Sequence, residues 1–249
     1  MQPNAQARLA SMTVRAQALL LRSLALILLV LAVPLCLVAL GAAAGLLALP
    51  HPLWLVEQRL PVLFPMHMAS AGLALVALPM AIWCHGFSLH RLVGRTAAAL
   101  ALTGGATALP VALASEAHWL ARAGFLVQAL AWVALALAGV RAIRRGERAR
   151  HMWLMLAVTA IASGAVWLRL ATWLAVRWSE RFDFHAVYAL GAWLSWMMPL
   201  AGVALLARCA LGPLRRSRLV LGVNRRDRRP WPSAPPSAGS APRPSARSG

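Results

Sequence analysis

Residues 23–49 read SLALILLVLAVPLCLVALGAAAGLLAL, and from Arg22 to Glu57 no Asp, Glu, Lys or Arg intervenes. The hydrocarbon core of a bilayer is about 30 Å thick, and about 20 apolar residues cross it as an α-helix. Lipid offers no water to backbone N–H and C=O groups, so a run of this length must satisfy them internally, as a helix does. Five more stretches follow the same pattern. The spacing predicts spans over residues 23–49, 64–83, 96–115, 123–140, 152–176 and 184–207. The expected fold is an all-α polytopic membrane bundle of six transmembrane helices spanning residues 23–207, with an N-terminal segment at 1–22 and a tail at 208–249.

Composition supports that reading. The chain is 61% hydrophobic with mean hydropathy +0.68, which excludes an ordinary soluble core. All 25 basic residues are arginine, against six acidic residues, for a net charge of +19. The arginines alternate along the chain. Arg8, Arg15 and Arg22 precede the first span, Arg91 and Arg95 follow the second, and Arg141, Arg144, Arg145, Arg148 and Arg150 follow the fourth. The tail carries Arg208, Arg215, Arg216 and Arg218. The remaining loops are nearly neutral, with Glu57 against Arg59, Glu116 against Arg122, and Glu180 and Asp183 against Arg177 and Arg181. Basic loops stay in the cytoplasm, so both termini are expected there. The charge then meets anionic lipid at the inner leaflet, and nucleic acid is not the expected partner.

The ends of the chain follow from length and composition. The run at 23–49 is too long for the ~7–15-residue apolar core of a signal peptide, so it is read as a retained first helix. From Arg215 the sequence turns to arginine and then to Pro, Ser and Ala, and the tail is read as disordered. Cys36, Cys84 and Cys209 have no metal-like spacing, and neither a disulfide nor a zinc site is expected. Trp54, Trp119 and Trp178 suit an outer aromatic belt and Trp83 and Trp153 an inner one, while Trp132, Trp167, Trp193 and Trp196 are expected to pack in the bundle.

Few residues carry recognisable chemistry. Arg169 lies inside the fifth span, and an ionisable residue within a span marks a functional site by default. It stands about five helical turns after His151 on one stripe, through Met155, Val158, Ala162 and Ala165. The small residues of its outer half suggest that this stripe faces the bundle interior. His90 and His151 begin the third and fifth helices at the cytoplasmic side, with His85 nearby. His67 and His185 lie near the outer ends of the second and sixth. Paired imidazoles on facing helices are what a b-type haem requires as axial ligands, and Arg91, Arg95 and Arg169 are cations suited to its propionates. No phosphate loop, zinc-protease motif or nucleophile triad is present, and no carboxylate lies within a span.

The segment from His67 to Arg95, HMASAGLALVALPMAIWCHGFSLHRLVGR, combines a membrane histidine, Gly72 and a His90-Arg91-x-x-Gly94-Arg95 motif. Gly124-Phe125, Trp132, Arg144-Arg145-Gly146, His151-Met152-Trp153, Arg169 and Tyr188…Trp193…Trp196 continue the pattern. Together, over residues 60–207, these resemble a bacterial family of predicted membrane proteins, domain-of-unknown-function family 2306. The chain departs from that pattern at Met152 and Leu156 and at Pro199-Leu200-Ala201. The resemblance implies a multi-pass protein of the bacterial cytoplasmic membrane. It singles out His67, His90, Arg91, Gly94, Arg95, His151 and Arg169, and it implies no particular activity.

Three functional readings follow. The first is a haem b or quinone-linked electron-transfer protein with cofactor contacts at His67, His90, His151, His185, Arg91 and Arg95. The second is an anion or small-molecule transport or binding protein centred on Arg169. The third is a structural or assembly protein without catalysis.

Overall fold

The computed structural model describes the backbone of residues 3–225 and the side chains of residues 19–209. Among these the structure is wholly helical: α1 (Pro3–Ala43), α2 (His51–Arg59), α3 (Leu63–Trp83), α4 (His90–Ala114), α5 (Trp119–Arg144), α6 (Arg148–Arg177) and α7 (Phe184–Arg225). Six of the seven are long and apolar enough to cross a membrane, with spans at Leu19–Ala43, Leu63–Trp83, His90–Ala114, Trp119–Arg144, Arg148–Arg177 and Phe184–Cys209. The chain divides into two units, Met1–Ala207 and Arg208–Gly249. In the second, the described backbone is helical through Arg225, where the sequence reading ends its last helix at Ala207. The Pro/Ser/Ala-rich remainder read as a disordered tail lies outside the described residues.

Glycines set several helix ends. The first span stops at Ala43 rather than at Leu49, although the sequence stays apolar. Gly45 takes a positive φ of 68°, the Gly45 N–H donates to the Ala42 carbonyl, and the Leu46 N–H donates to the Gly41 carbonyl. This is a Schellman ending, which glycine closes because it has no Cβ to clash in the left-handed region. Gly146, with φ of 77°, ends α5 in the same way. Pro50-His51-Pro52, read as the end of the first span, instead starts α2, with proline within its first turn. Proline lacks only an N–H that a helix start leaves unbonded, and its ring presets φ. Pro61 then disfavours helix at Leu60, where α2 stops.

The spans pack as an antiparallel bundle. α3 lies between α1 and α4, α5 joins α4 to α6, and α6 also reaches α1 and α3. α7 lies against α5 and α6: the Trp193 indole N–H donates to the Leu120 carbonyl at 3.0 Å, and Gly164 faces Trp196. α6 is the most enclosed span. The core draws on every span, with Ala32, Leu75, Leu78, Ala101, Trp132, Val158, Ile161 and Trp196 among its members. With no hydrophobic drive between helices in lipid, close contact depends on small residues. A Cβ at Gly104 of α4 would lie 3.1 Å from the Ala71 backbone of α3, so these helices touch main chain to main chain.

Large apolar side chains fill the surface, as lipid contact requires: Ile27, Val30 and Leu37 of α1, Leu130 of α5 and Trp173 of α6 are all exposed. The loops gather on two faces. Arg22 donates to the His85 carbonyl at 3.2 Å, joining the start of the first span to the α3–α4 loop on the arginine-rich face. On the other face, Arg59 at the end of α2 pairs with Glu116 at 2.6 Å and donates to the Ala114 carbonyl at 3.0 Å. Trp132 and Trp196 pack in the core as expected, and Trp193 is half-buried. Trp167 is exposed instead, with its indole N–H directed to the Ser163 hydroxyl one turn back.

Candidate functional site

Three of the four candidate histidines bond backbone carbonyls. His67, in the second turn of α3, makes a 3.0 Å bond from Nδ1 to the Gly104 carbonyl of α4. His90, the first residue of α4, reaches back 2.9 Å to the Ala81 carbonyl at the end of α3. His151, in the first turn of α6, bonds the Gly139 carbonyl of α5 at 2.9 Å. A carbonyl only accepts, so each Nδ1 donates, and Nε2 is the ring nitrogen that points away from the bond. Two of the three acceptors are glycine carbonyls, Gly104 and Gly139. His185 is exposed at the start of α7, with its ring edge-on to Phe184.

The histidines separate by face, His90 and His151 toward the arginine-rich loops and His67 and His185 toward the opposite ones. His67 sits on the α3–α4 seam and His185 at the head of α7, while His90 and His151 bond to different neighbours. The histidine rings that do approach each other are His85 and His90, edge-on with centroids 5.3 Å apart beside one loop. His90 has Arg91 and Arg95 beside it, both exposed, so one imidazole and two cations share that helix start.

Arg169 lies elsewhere than expected. The stripe from His151 begins inside the bundle, where Met155 packs against Gly139 and Val158 and Ala162 are buried. It then emerges, and Ala165 and Arg169 are exposed. The cause is the position of α7. That helix covers the neighbouring stripe, with Trp196 on Gly164 and Gly191 on Leu168, about 100° around α6 from Arg169.

Outward of those contacts a groove of about 480 Å³ opens between α6 and α7, lined by Arg169, Thr172, Trp173, Val176 and Phe184. Four of the five stand at i, i+3, i+4 and i+7 on one face of α6. The ring of Tyr188 of α7 stacks on Phe184 at a centroid distance of 6.0 Å. Phe125 of α5 supports Tyr188 from behind, edge-on at 5.7 Å. The Arg169 guanidinium has no hydrogen bond or ion pair among the described residues, as is also true of the loop arginines Arg91, Arg95 and Arg177, but Arg169 alone of these lies well inside a span. The Thr172 hydroxyl donates to the Leu168 carbonyl at 2.9 Å, which leaves its oxygen as an acceptor.

The sequence reading named Arg169 and missed the rest of the groove. The i+3, i+4 and i+7 positions were legible as neighbours on one helix. Phe184 and Tyr188 lie beyond the α6–α7 loop, and although Tyr188 belongs to the family pattern, its nearness to α6 was not legible, because nothing in the sequence sets how far α7 is rotated.

No curated protein and no solved structure matches the chain. The family model described as "Predicted membrane protein (DUF2306)" matches residues 64–207, from the first turn of α3 to the last residues of the sixth span. The match covers more than half of the chain and takes in the carbonyl-bonded histidines, the two arginines after His90 and the Arg169 groove; the protein belongs to this family of predicted membrane proteins.

Proposed function

We propose that this multi-pass membrane protein binds an anionic small molecule at Arg169. One observation carries the reading: a guanidinium within a span, unpaired among the described residues, lines a groove of about 480 Å³. A guanidinium is planar, permanently charged and matched to carboxylate and phosphate oxygens. Trp173, Val176 and Phe184 offer an apolar wall beside it. A charge at this depth is costly unless it is partnered, and a bound anion supplies the partner. The proposed setting is the bacterial cytoplasmic membrane, with the arginine-rich loops facing anionic lipid inside the cell.

The test is a binding screen of carboxylates and phosphates on the detergent-purified full chain, read by thermal shift and calorimetry. Ligands that bind wild type should lose roughly tenfold or more in affinity with Arg169→Ala and less with Arg169→Lys, since the ammonium keeps charge without the fork. Unchanged binding in a folded Arg169→Ala variant would remove the site.

A second reading is a b-type haem on the arginine-rich face. Its support is the Nδ1–carbonyl bond of His90, which fixes the ring and leaves Nε2 available, with Arg91 and Arg95 alongside for propionates. A haem held there would supply one-electron chemistry, and these residues would bind and orient it. The check is a reduced-minus-oxidised spectrum of protein from haem-supplemented cells. Near-stoichiometric Soret and alpha bands, lost on His90→Ala, would establish this reading, and a flat spectrum from folded protein would end it.

A further inference from the structure

We infer that the anion bound at Arg169 is a small aromatic carboxylate, entering carboxylate first from the aqueous side at the α6–α7 loop, with its ring held between Trp173 of α6 and Phe184 of α7. The inference rests on the proposed anion site and names the chemical class of its ligand.

The groove is closed at one end and open at the other. Toward the bilayer centre the α6–α7 seam is shut, with Leu168 packed on Gly191 and Trp196 on Gly164. From Arg169 the lining runs the opposite way, through Thr172, Trp173 and Val176, to Phe184 in the first turn of α7. Arg169 stands eight residues, about 12 Å, before the end of α6 at Arg177, so the guanidinium forms the floor and the loop side forms the mouth. A ligand arriving from water passes the apolar walls first and meets the cation last. A membrane lipid with its phosphate at Arg169 would have to turn its chain toward water, which the hydrophobic effect opposes.

Charge and donor count select a carboxylate. Arg169 is the one charged residue among the five that line the groove. Its guanidinium offers two parallel N–H groups, which match the two oxygens of a carboxylate. The Thr172 hydroxyl donates to the Leu168 carbonyl at 2.9 Å and so adds no donor for the anion. A monoanionic carboxylate is satisfied by this single fork. Phosphate, with more oxygens and more charge, keeps acceptors that no lining residue meets.

The walls select a ring. Trp173 and Phe184 stand on different helices, one on either side of the groove. Phe184 is steadied by stacking on Tyr188 and by the His185 ring, edge-on at a centroid distance of 5.8 Å. Trp173 is 61% exposed and Phe184 40%, and a planar ring between them covers part of both. The rise from Arg169 to Val176 is about 10 Å, the length of a carboxylate joined to one or two fused rings and too short for a long acyl chain. A volume of about 480 Å³ falls within the range of small-molecule sites.

The experiment is titration calorimetry on the full chain in phosphatidylcholine nanodiscs, with the heat of empty nanodiscs subtracted. The probes are phenylacetate, its neutral analogue phenylacetamide, acetate and inorganic phosphate. Phenylacetate should bind wild type at one per chain, and the other three should bind roughly tenfold or more weakly. Trp173→Ala should weaken phenylacetate about fivefold and leave acetate unchanged. Arg169→Ala should weaken phenylacetate roughly tenfold or more, and Arg177→Ala should change nothing. Circular dichroism and melting confirm that each variant is folded, and Arg169→Gln serves if Arg169→Ala is not. Acetate or phosphate binding as tightly as phenylacetate, with Trp173→Ala behaving as wild type, would overturn the aromatic inference and leave the anion site standing. Phenylacetamide binding as tightly as phenylacetate, or phenylacetate binding equally to wild type and folded Arg169→Ala, would overturn both, as would the failure of every probe to bind.

Discussion

At the residue scale, the histidines hold helices together before they do anything else. His67, His90 and His151 each direct Nδ1–H to a carbonyl outside their own helix, and two of those carbonyls belong to glycines. An interhelical hydrogen bond in a membrane protein contributes about 0.6 kcal/mol on average and up to roughly 1.7. Replacing His67 by Phe keeps most of the ring volume and removes the bond. The expected outcome is a loss of about 1 kcal/mol in a detergent unfolding titration, with the fold retained. No loss would mean that the bond to Gly104 contributes nothing. The residue types and their approximate depths were legible in the sequence. The acceptors were not, because any main-chain carbonyl has the same chemistry and only packing selects Gly104 or Gly139.

Among the elements, the spans were readable and their ends less so. α4 begins at His90, about a turn and a half before the expected Thr96, and α6 begins at Arg148, one turn before Met152. Hydropathy marks where a chain is apolar, whereas a helix continues through arginines as long as its carbonyls find donors. At the first span the error runs the other way, since Leu46 to Leu49 are apolar yet non-helical once Gly45 has closed the helix. The short α2 lay hidden in a segment read as loop, although its Pro52 and the stop at Pro61 were both on view. The stripe from His151 to Arg169 has the periodicity expected of it. Its outer half is exposed because α7 covers the adjacent stripe.

For the whole molecule, the charge distribution fixes a testable topology. Arg22, Arg91, Arg95, Arg141 and Arg148 share one face, and Arg59, Arg122 and Glu116 share the other. The positive-inside rule predicts that the first face is cytoplasmic. In a cell, a cysteine placed at Gly146 should resist a membrane-impermeant thiol reagent until the membrane is opened, while one at Ala117 should react at once. The reverse pattern would invert the orientation.

By itself the sequence determined the number of spans, their approximate positions, which loops share a face and the candidacy of Arg169. These follow from local quantities: the length of apolar runs against bilayer thickness, and the cost of carrying arginine across it. Only the tertiary structure decided which faces meet. A single residue turns a helix by about 100°, so the difference between Gly164 under Trp196 and Ala165 in the open is one position along α6. That rotation is set by how Gly124, Gly164 and Gly191 let α7 settle against α5 and α6, a balance of many small contacts spread over three helices. It placed Arg169 in a groove facing the lipid rather than inside the bundle.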